Sequence, residues 1–404
     1  MKILHTSDWH LGQKFIARER EEEHALALTW LSEIIIAEEI EVLIVAGDVF
    51  DIGNPPSSSR ALYYNFLKGL WKTSCRHIVI TGGNHDSPQM LDAPKEILHI
   101  LNVHVVGRST EDPADEIIEL KNEKGQLEAV VAAVPFLRDQ DLKRAVSGET
   151  SNDRVEKIRQ GILAHYDAIG EEVKKYDQKN IPLIVTGHLC VTGHEASEKQ
   201  DNIYLGNTEN IKADQFPALF NYVALGHIHR PQAIGGVEKV RYSGSIIPLS
   251  FSETKDEKSV TVVSFEREII KKIEEIKAPQ FRRLKTIEGD LEYVQERLEK
   301  LHHDYKEGLP AWVEVIVDSD TLIPNLNGIL QDFVKNFNLE ILKIRHRRLS
   351  HSLSEQIVTQ ELDDLSPIDV FKKKCESTGR PPEDVDDLIS TFRELEEWMR
   401  EKSN

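Results

Sequence analysis

The sequence predicts an α/β chain in three parts: a layered, helix-flanked sheet domain over residues 1–277, a small α+β domain over 278–349, and helices over 350–404. Three observations carry this. Short β-branched runs alternate with longer helical patterns through the first part, which is the pattern of an α/β layered fold. The pattern resets at Lys277-Ala278-Pro279. Beyond Ser350 the chain turns strongly charged and helical, with Pro367 and Pro381-Pro382 starting two segments.

In chain order, Lys2–Thr6, Val42–Ala46, His77–Thr81, Val103–Val106 and residues 183–186 read as buried strands. Ala25, Leu28, Leu31, Ile34 and Ile35 recur at helical spacing, predicting a helix within 19–39. Further helices are expected over 58–71 and 152–176. From 222 to 274 short strands with Gly turns (Gly235-Gly236, Gly244) predict a second, more antiparallel sheet completing the first domain. The next segment reads as strand 283–288, helix 290–303, strand 312–318, helix 324–337 and strand 339–346, a βαβαβ unit. It closes on a basic run, Lys343, Arg345, His346, Arg347 and Arg348. The last segment places Val385, Leu388, Ile389, Phe392, Leu395 and Trp398 on one helical stripe that needs a covering partner.

Composition bounds the function. A chain of 404 residues is long enough for two or three domains, and 40% hydrophobic with 29% charged residues is ordinary for a globular protein. No apolar run reaches the roughly 18 residues a spanning helix needs, and the opening strand leaves no room for a signal peptide. Cys75, Cys190 and Cys375 form no CxxC pair, so a reduced cytoplasm with packing cysteines is expected. A net charge of −19 argues against a broad nucleic-acid surface, although the distribution of charge matters more than its sum. No Gly-x-x-x-x-Gly-Lys-Ser/Thr run occurs, so no nucleotide is expected on a P-loop.

Five polar motifs each follow an apolar β run: Asp8-Trp9-His10, Gly47-Asp48-Val49-Phe50-Asp51, Asn84-His85-Asp86, Gly187-His188 and Gly226-His227-Ile228-His229. Singly, such motifs are mostly turns or helix caps. Together they place hard oxygen and imidazole donors on one rim, because strand C-termini of a layered α/β domain converge there. Donors without thiolate suit Mn²⁺, Mg²⁺, Fe²⁺ or Zn²⁺. Glycine before Asp48, His188 and His227 allows the sharp turns that bring ligands close. Two cations about 3.5–4 Å apart share a carboxylate, here Asp48. Asp8, His10 and His229 complete one site, and Asn84, His188 and His227 the other. His85 is left as general acid or phosphate-orienting group, since imidazole titrates near neutral pH. His5, His24, His77, His99, His104 and His165 read as packing or surface groups, and His194 as a loop residue near the rim.

These motifs, in this order, resemble the calcineurin-like metallophosphoesterase superfamily. Residues 1–12 (MKILHTSDWHLG), 45–51 (VAGDVFD), 224–230 (ALGHIHR) and 241–251, with Arg241-Tyr242-Ser243-Gly244-Ser245 and Pro248-Leu249-Ser250-Phe251, resemble its SbcD family of bacterial nuclease subunits. The resemblance implies a β-sandwich catalytic domain, a small capping domain facing DNA, and C-terminal helices that dock on an SMC-like ATPase, SbcC. It also implies a homodimer in the cytoplasm, at the nucleoid, serving DNA repair, recombination and replication. The implied activity is Mn²⁺-dependent cleavage of DNA ends and hairpins, as an exonuclease on duplexes and an endonuclease on single strands, with Mg²⁺ as the alternative metal. A small-molecule phosphatase or cyclic-nucleotide phosphodiesterase on the same scaffold, or a non-catalytic scaffold for an ATPase, are the rival functions. Two departures stand out. Ile246 occupies a position where the related motif has Pro, and Asp51 one where archaeal and eukaryotic relatives have His. Asp51 matches the phosphatase-like pattern, so an Asp51–His85 dyad is expected, the carboxylate favouring the charged imidazole.

Overall fold

A computed structural model of the chain describes residues 1–142, 151–193, 211–321, 323–347 and 388. Two six-stranded sheets make the first domain. The first sheet runs Ile269–Lys277, Ser259–Glu266, Lys2–Thr6, Val42–Ala46, His77–Thr81 and Val103–Val106 in spatial order. Its last four strands are parallel, and the hairpin of Ser259–Glu266 with Ile269–Lys277 adds antiparallel at the other side. The second sheet runs Gln232–Ile234, Val237–Tyr242, Tyr222–Gly226, Leu183–His188, Leu127–Ala132 and Ile117–Lys121.

Successive side chains point to opposite faces, and the central strands Lys2–Thr6, Val42–Ala46 and His77–Thr81 are buried on both. Leu4, Leu43 and Val45 pack outward with Leu28, Leu31 and Ile35 of the helix Glu21–Ala37 and Tyr63, Phe66 and Leu67 of the helix Ser57–Leu70. Ile3, Val42 and Ile44 alternate inward and meet Val131, Ile184, Tyr222 and Ala224 of the second sheet. That sheet's outer face is covered by Ile158, Ile162, Tyr166 and Ile169 of the helix Ser151–Val173. The result is four layers, helix, sheet, sheet, helix. Truncating any of these fully buried aliphatic residues to Ala would cost about 2–5 kcal/mol.

The second sheet differs from the expected, more antiparallel one. Its four central strands are parallel, and two of its strands, Ile117–Lys121 and Leu127–Ala132, are not foreseen from the sequence. Parallel neighbours need a crossover, and the helix Ser151–Val173 supplies it between Leu127–Ala132 and Leu183–His188. The hairpin 117–132 turns at Asn122, whose Oδ1 accepts from the N–H groups of Lys124 and Gln126.

The small domain is a parallel three-stranded sheet, Leu284–Gly289, Ala311–Asp318 and Leu339–Arg347, with the helices Leu291–Asp304 and Leu326–Val334. Val313, Val315 and Val317 point to these helices and share a core of their own with Val294, Leu298 and Leu330. The opposite sheet face meets the first domain, where Phe15 stacks on Trp312 with centroids 5.5 Å apart. Beside that contact lies a buried charge cluster. Arg20 grips both oxygens of Glu23 (2.9 and 2.8 Å), and Arg282, stacked 4.0 Å over Trp312, approaches Glu23 at 3.5 Å. Removing the carboxylate from such a cluster costs on the order of 3–5 kcal/mol, because both cations lose their partner in a dry site. Among the described residues, no helix is long and apolar enough to cross a membrane. The terminal stripe Val385–Trp398, apart from Leu388, lies outside the described residues, as do Arg348 and His194.

Candidate metal centre

The parallel strands end at one rim, and the loops that follow them bring the polar motifs together across both sheets. Pairing continues past the strands: Asp8 N–H donates to Gly47 O (3.0 Å) and His10 N–H to Asp48 O (3.0 Å). To turn their side chains inward, Asp8 (φ 53°), His10 (φ 46°), Asp48 (φ 50°) and His227 (φ 96°) all adopt the left-handed region. Each such non-glycine residue costs roughly 1–3 kcal/mol, and strain of this kind persists where function needs it. Two glycines are required by contact. A Cβ on Gly47 would fall 2.2 Å from His188 Nδ1, and one on Gly226 1.9 Å from Ala46 O. Either side chain would wedge the two sheets apart at the rim.

Asp8, His10 and His229 bring ligand atoms within 4.8 Å of one another, as do Asp8, Asp48 and His188. Asp8, His10, Asp48 and His188 are each at most 3% exposed. Asn84 joins through Oδ1, 3.0 Å from His188 Nε2, and His227 through its ring, centred 5.4 Å from that of His188. The His227 N–H also donates to both oxygens of Asp8 (3.0 and 3.1 Å).

The imidazole tautomers follow from their partners. His10 Nδ1 lies 3.0 Å from Asp51 Oδ1, His188 Nδ1 2.9 Å from Ala46 O, and His229 Nδ1 3.0 Å from Glu253 Oε1. A carboxylate or carbonyl oxygen only accepts, so each Nδ1 carries hydrogen and Nε2 is the nitrogen that a cation could take. His10 Nε2 is buried with no hydrogen-bond partner, 3.5 Å from Asp48 Oδ2. His188 Nε2 lies 3.2 Å from the same oxygen. Hard donors aimed inward, with an orphaned imidazole nitrogen and an acceptor-only shell, fit divalent cations.

Without a cation, protons occupy that field. Burial alone would lower the His188 pKa, but the charge and hydrogen bond of Asp48 raise it to about 9. His10 is raised too: burial opposes, and the Asp51 hydrogen bond and Asp48 charge prevail. Asp48 is held well below the carboxylate range, the His188 charge outweighing burial. The sign for stability follows. A folded pKa above the unfolded value stabilises the metal-free protein fully below about pH 6.5, and that stabilisation fades as pH rises toward 9. A cation held through His188 would have to displace that proton below that pH and not above it. The rise in melting temperature caused by saturating Mg²⁺ is therefore expected to grow between pH 6.5 and 9, as differential scanning fluorimetry would show. A rise that stays constant or shrinks with pH would contradict this proton exchange.

The expected Asp51–His85 dyad is not formed through the carboxylate. The Asp51 carboxylate bonds His10, and His85 Nδ1 instead meets the Asp51 backbone carbonyl at 2.8 Å. Asp51 lies in the loop zipped to Leu11, its N–H donating to Leu11 O at 3.2 Å, and this directs its side chain to the residue below rather than across the rim. His85 is exposed, its ring centred 4.8 Å from that of His10, and its backbone N–H donates to Asp48 Oδ1 (2.9 Å). Asp86, adjacent in sequence, is buried and accepts from the N–H groups of Val49, Phe50 and Gly83, so it ties two ligand loops together. Burial and the Asp48 charge push its pKa up to about 6.

The basic run is mostly answered within the small domain. Lys343 and Arg345 both pair with Glu314 (3.0 and 3.1 Å), and Arg347 pairs with Asp318 (2.8 Å) and Glu288. Lys343 and Arg345 also line a cleft of about 610 Å³ with Lys14, Phe15, Ser250 and Lys255. The cleft does not contain the ligands but reaches Ser250, whose hydroxyl is 3.4 Å from Glu253 Oε1 behind His229. Of the histidines read as structural, His5 is buried against Tyr222 O–H (3.0 Å) and His24 is buried near Arg20. Ser7 and Ser243, which bond each other at 2.9 Å with Ser7 also donating to Asp8, and Glu253 behind His229, are not foreseen from the sequence. No local spacing links Ser7 to Ser243, 236 residues on, or Glu253 to His229, 24 residues back.

Residues 1–231 match the family described as calcineurin-like phosphoesterase, and residues 280–378 that described as type 5 capsule protein repressor C-terminal domain (SbcD_C). The chain is 35% identical over 378 residues to the SbcD subunit of nuclease SbcCD from Escherichia coli K12, covering 93% of this chain and 92% of that protein. It is 39% identical over 272 residues to the protein of that name from Rhodobacter capsulatus, covering 65% of this chain and 66% of that one. The counterpart from Bacillus subtilis is 35% identical over 268 residues, again with 65% and 66% covered.

Proposed function

The chain belongs to the SbcD family of SbcCD nuclease subunits, built on a calcineurin-like phosphoesterase domain, and from that premise we propose that it cleaves DNA with two divalent cations. Membership makes it a metal-dependent phosphodiester hydrolase. The observation that carries the two-cation reading is the shared carboxylate: Asp48 Oδ2 stands 3.5 Å from His10 Nε2 and 3.2 Å from His188 Nε2, between the two halves of the ligand set. One site takes Asp8, His10, His229 and Asp48, the other Asp48, Asn84, His188 and His227. When bound, such a pair supplies Lewis acidity toward water and phosphoryl oxygens.

The chain's own groups do the rest. Asp8 is oriented by Ser7 and by the His227 N–H, so its carboxylate presents a fixed face. His85, exposed and with Nδ1 anchored on the Asp51 carbonyl, is the group placed to donate a proton to the leaving oxygen. The Asp51 carboxylate acts by orienting His10, and its backbone carbonyl holds His85.

DNA is favoured over small phosphoesters by the parts beyond the catalytic domain. The small domain lines the cleft that reaches Ser250, and that cleft carries Lys14, Lys255, Lys343 and Arg345, with Glu314 pairing the last two, as a mixed-charge surface on which Lys255 is the cation offered to a phosphate backbone. Mn²⁺ is the proposed metal, and exonuclease and single-strand endonuclease action the proposed activities. The C-terminal segment is the proposed dock for an SbcC-like ATPase, in a cytoplasmic complex with a homodimer of this chain. Incubated with duplex DNA, the chain is expected to release nucleotides with Mn²⁺, and not with EDTA or with Asp8→Ala. Activity that persists in EDTA, or that acts only on small phosphoesters, would sink the proposal.

A further inference from the structure

We propose that Glu253, paired with Lys258, is a positioning residue that fixes His229 for the cation held with Asp8 and His10; the inference rests on the two-cation reading above. His229 follows the strand Tyr222–Gly226 and is the least enclosed of the imidazoles in that half, with its side chain 19% exposed. Among the described residues, no hydrogen bond from its own loop holds the ring. Glu253, from the short helical turn Phe251–Lys255, reaches it instead, with Oε1 3.0 Å from Nδ1. An acceptor-only oxygen there keeps hydrogen on Nδ1 and the lone pair on Nε2, in a ring that brings a nitrogen within 4.8 Å of ligand atoms of Asp8 and His10.

Glu253 is itself closely held. It is 5% exposed, and its second oxygen accepts from Lys258 Nζ (2.5 Å) and the Leu249 N–H (3.0 Å). The Lys258 ammonium spends its other two hydrogens on His229 O (2.8 Å) and Ser245 Oγ (3.0 Å). The pair therefore grips His229 at both ends, the ring through Glu253 and the backbone carbonyl through Lys258. A salt bridge meant only to fasten the 245–258 segment would need neither the ring contact nor the carbonyl contact. Buried ion pairs are poor sources of net stability, which leaves orientation as what this one provides.

The test uses the full chain and Mn²⁺, with binding followed by electron paramagnetic resonance. Glu253→Gln keeps the shape but leaves Lys258 without a counter-ion, so the double variant Glu253→Gln/Lys258→Met is made beside it. In the folded variants one of the two Mn²⁺ sites is expected to weaken by about 10–100-fold while the other is unchanged, with hydrolysis restored by raising Mn²⁺. Wild-type affinity at both sites in a folded variant overturns the proposal, as does lost hydrolysis that added Mn²⁺ does not restore. A Mn²⁺-soaked crystal of the wild type is a check free of variants: ligation through His229 Nε2 with Glu253 on Nδ1 is expected, and ligation through Nδ1 overturns it. A wild type that binds no Mn²⁺ at all would instead sink the two-cation reading.

Discussion

Asp48→Asn is expected to abolish hydrolysis, on the order of 10³-fold or more, and to cut the calorimetric stoichiometry of Mn²⁺ from two toward zero. Asp48 is the carboxylate within reach of both halves of the site, close to His10 and His188. Asparagine keeps its shape, tolerates the left-handed backbone at φ 50°, and can still accept the His85 N–H through Oδ1. The variant therefore separates charge from fold. Without that charge, His188 loses the group that chiefly raises its pKa and His10 keeps only the Asp51 hydrogen bond and weaker charges, and two cations would face one another without a shared anion. An Asp48→Asn protein that still binds two Mn²⁺ with wild-type affinity would show that the bridge lies elsewhere.

His85→Gln is expected to lower turnover by about 10²–10⁴-fold while both cations remain bound. Its ring is exposed and touches the site's edge, and the N–H it gives to Asp48 belongs to the backbone and survives substitution. A proton donor matters least where the leaving group needs no proton. The loss should therefore shrink with an activated ester such as bis-p-nitrophenyl phosphate and be largest on DNA. Equal loss on both substrates, or a missing Mn²⁺, would rule out a general-acid role and point to a structural one.

Much of this was legible along the chain because the signals are local. Lys2–Thr6, Val42–Ala46 and His77–Thr81 are strands buried on both faces, so their apolar runs were readable without knowing what covered them. The donors lay within a few residues of those runs, and strand C-termini share a rim. What escaped was non-local. The hairpin 117–132 is half exposed and polar at its tip, with weak periodicity of its own. The second sheet's parallel centre depends on a crossover helix, which no local pattern encodes.

The chemical inventory, hard donors in five motifs after five strands, was determined by the sequence itself, since residue type and strand periodicity are properties of short windows. Which oxygen faces which ring was decided by tertiary structure alone. Asp51 turns to His10 rather than His85 because its loop is zipped to Leu11, and Glu253 reaches His229 across 24 residues because the fold returns it there. The apparent basic strand shares its charge with Glu314, Asp318 and Glu288, which a linear reading cannot pair with it. A hydrogen bond is set within a few tenths of an ångström and tens of degrees, and only the assembled sheets hold side chains from distant segments to that tolerance.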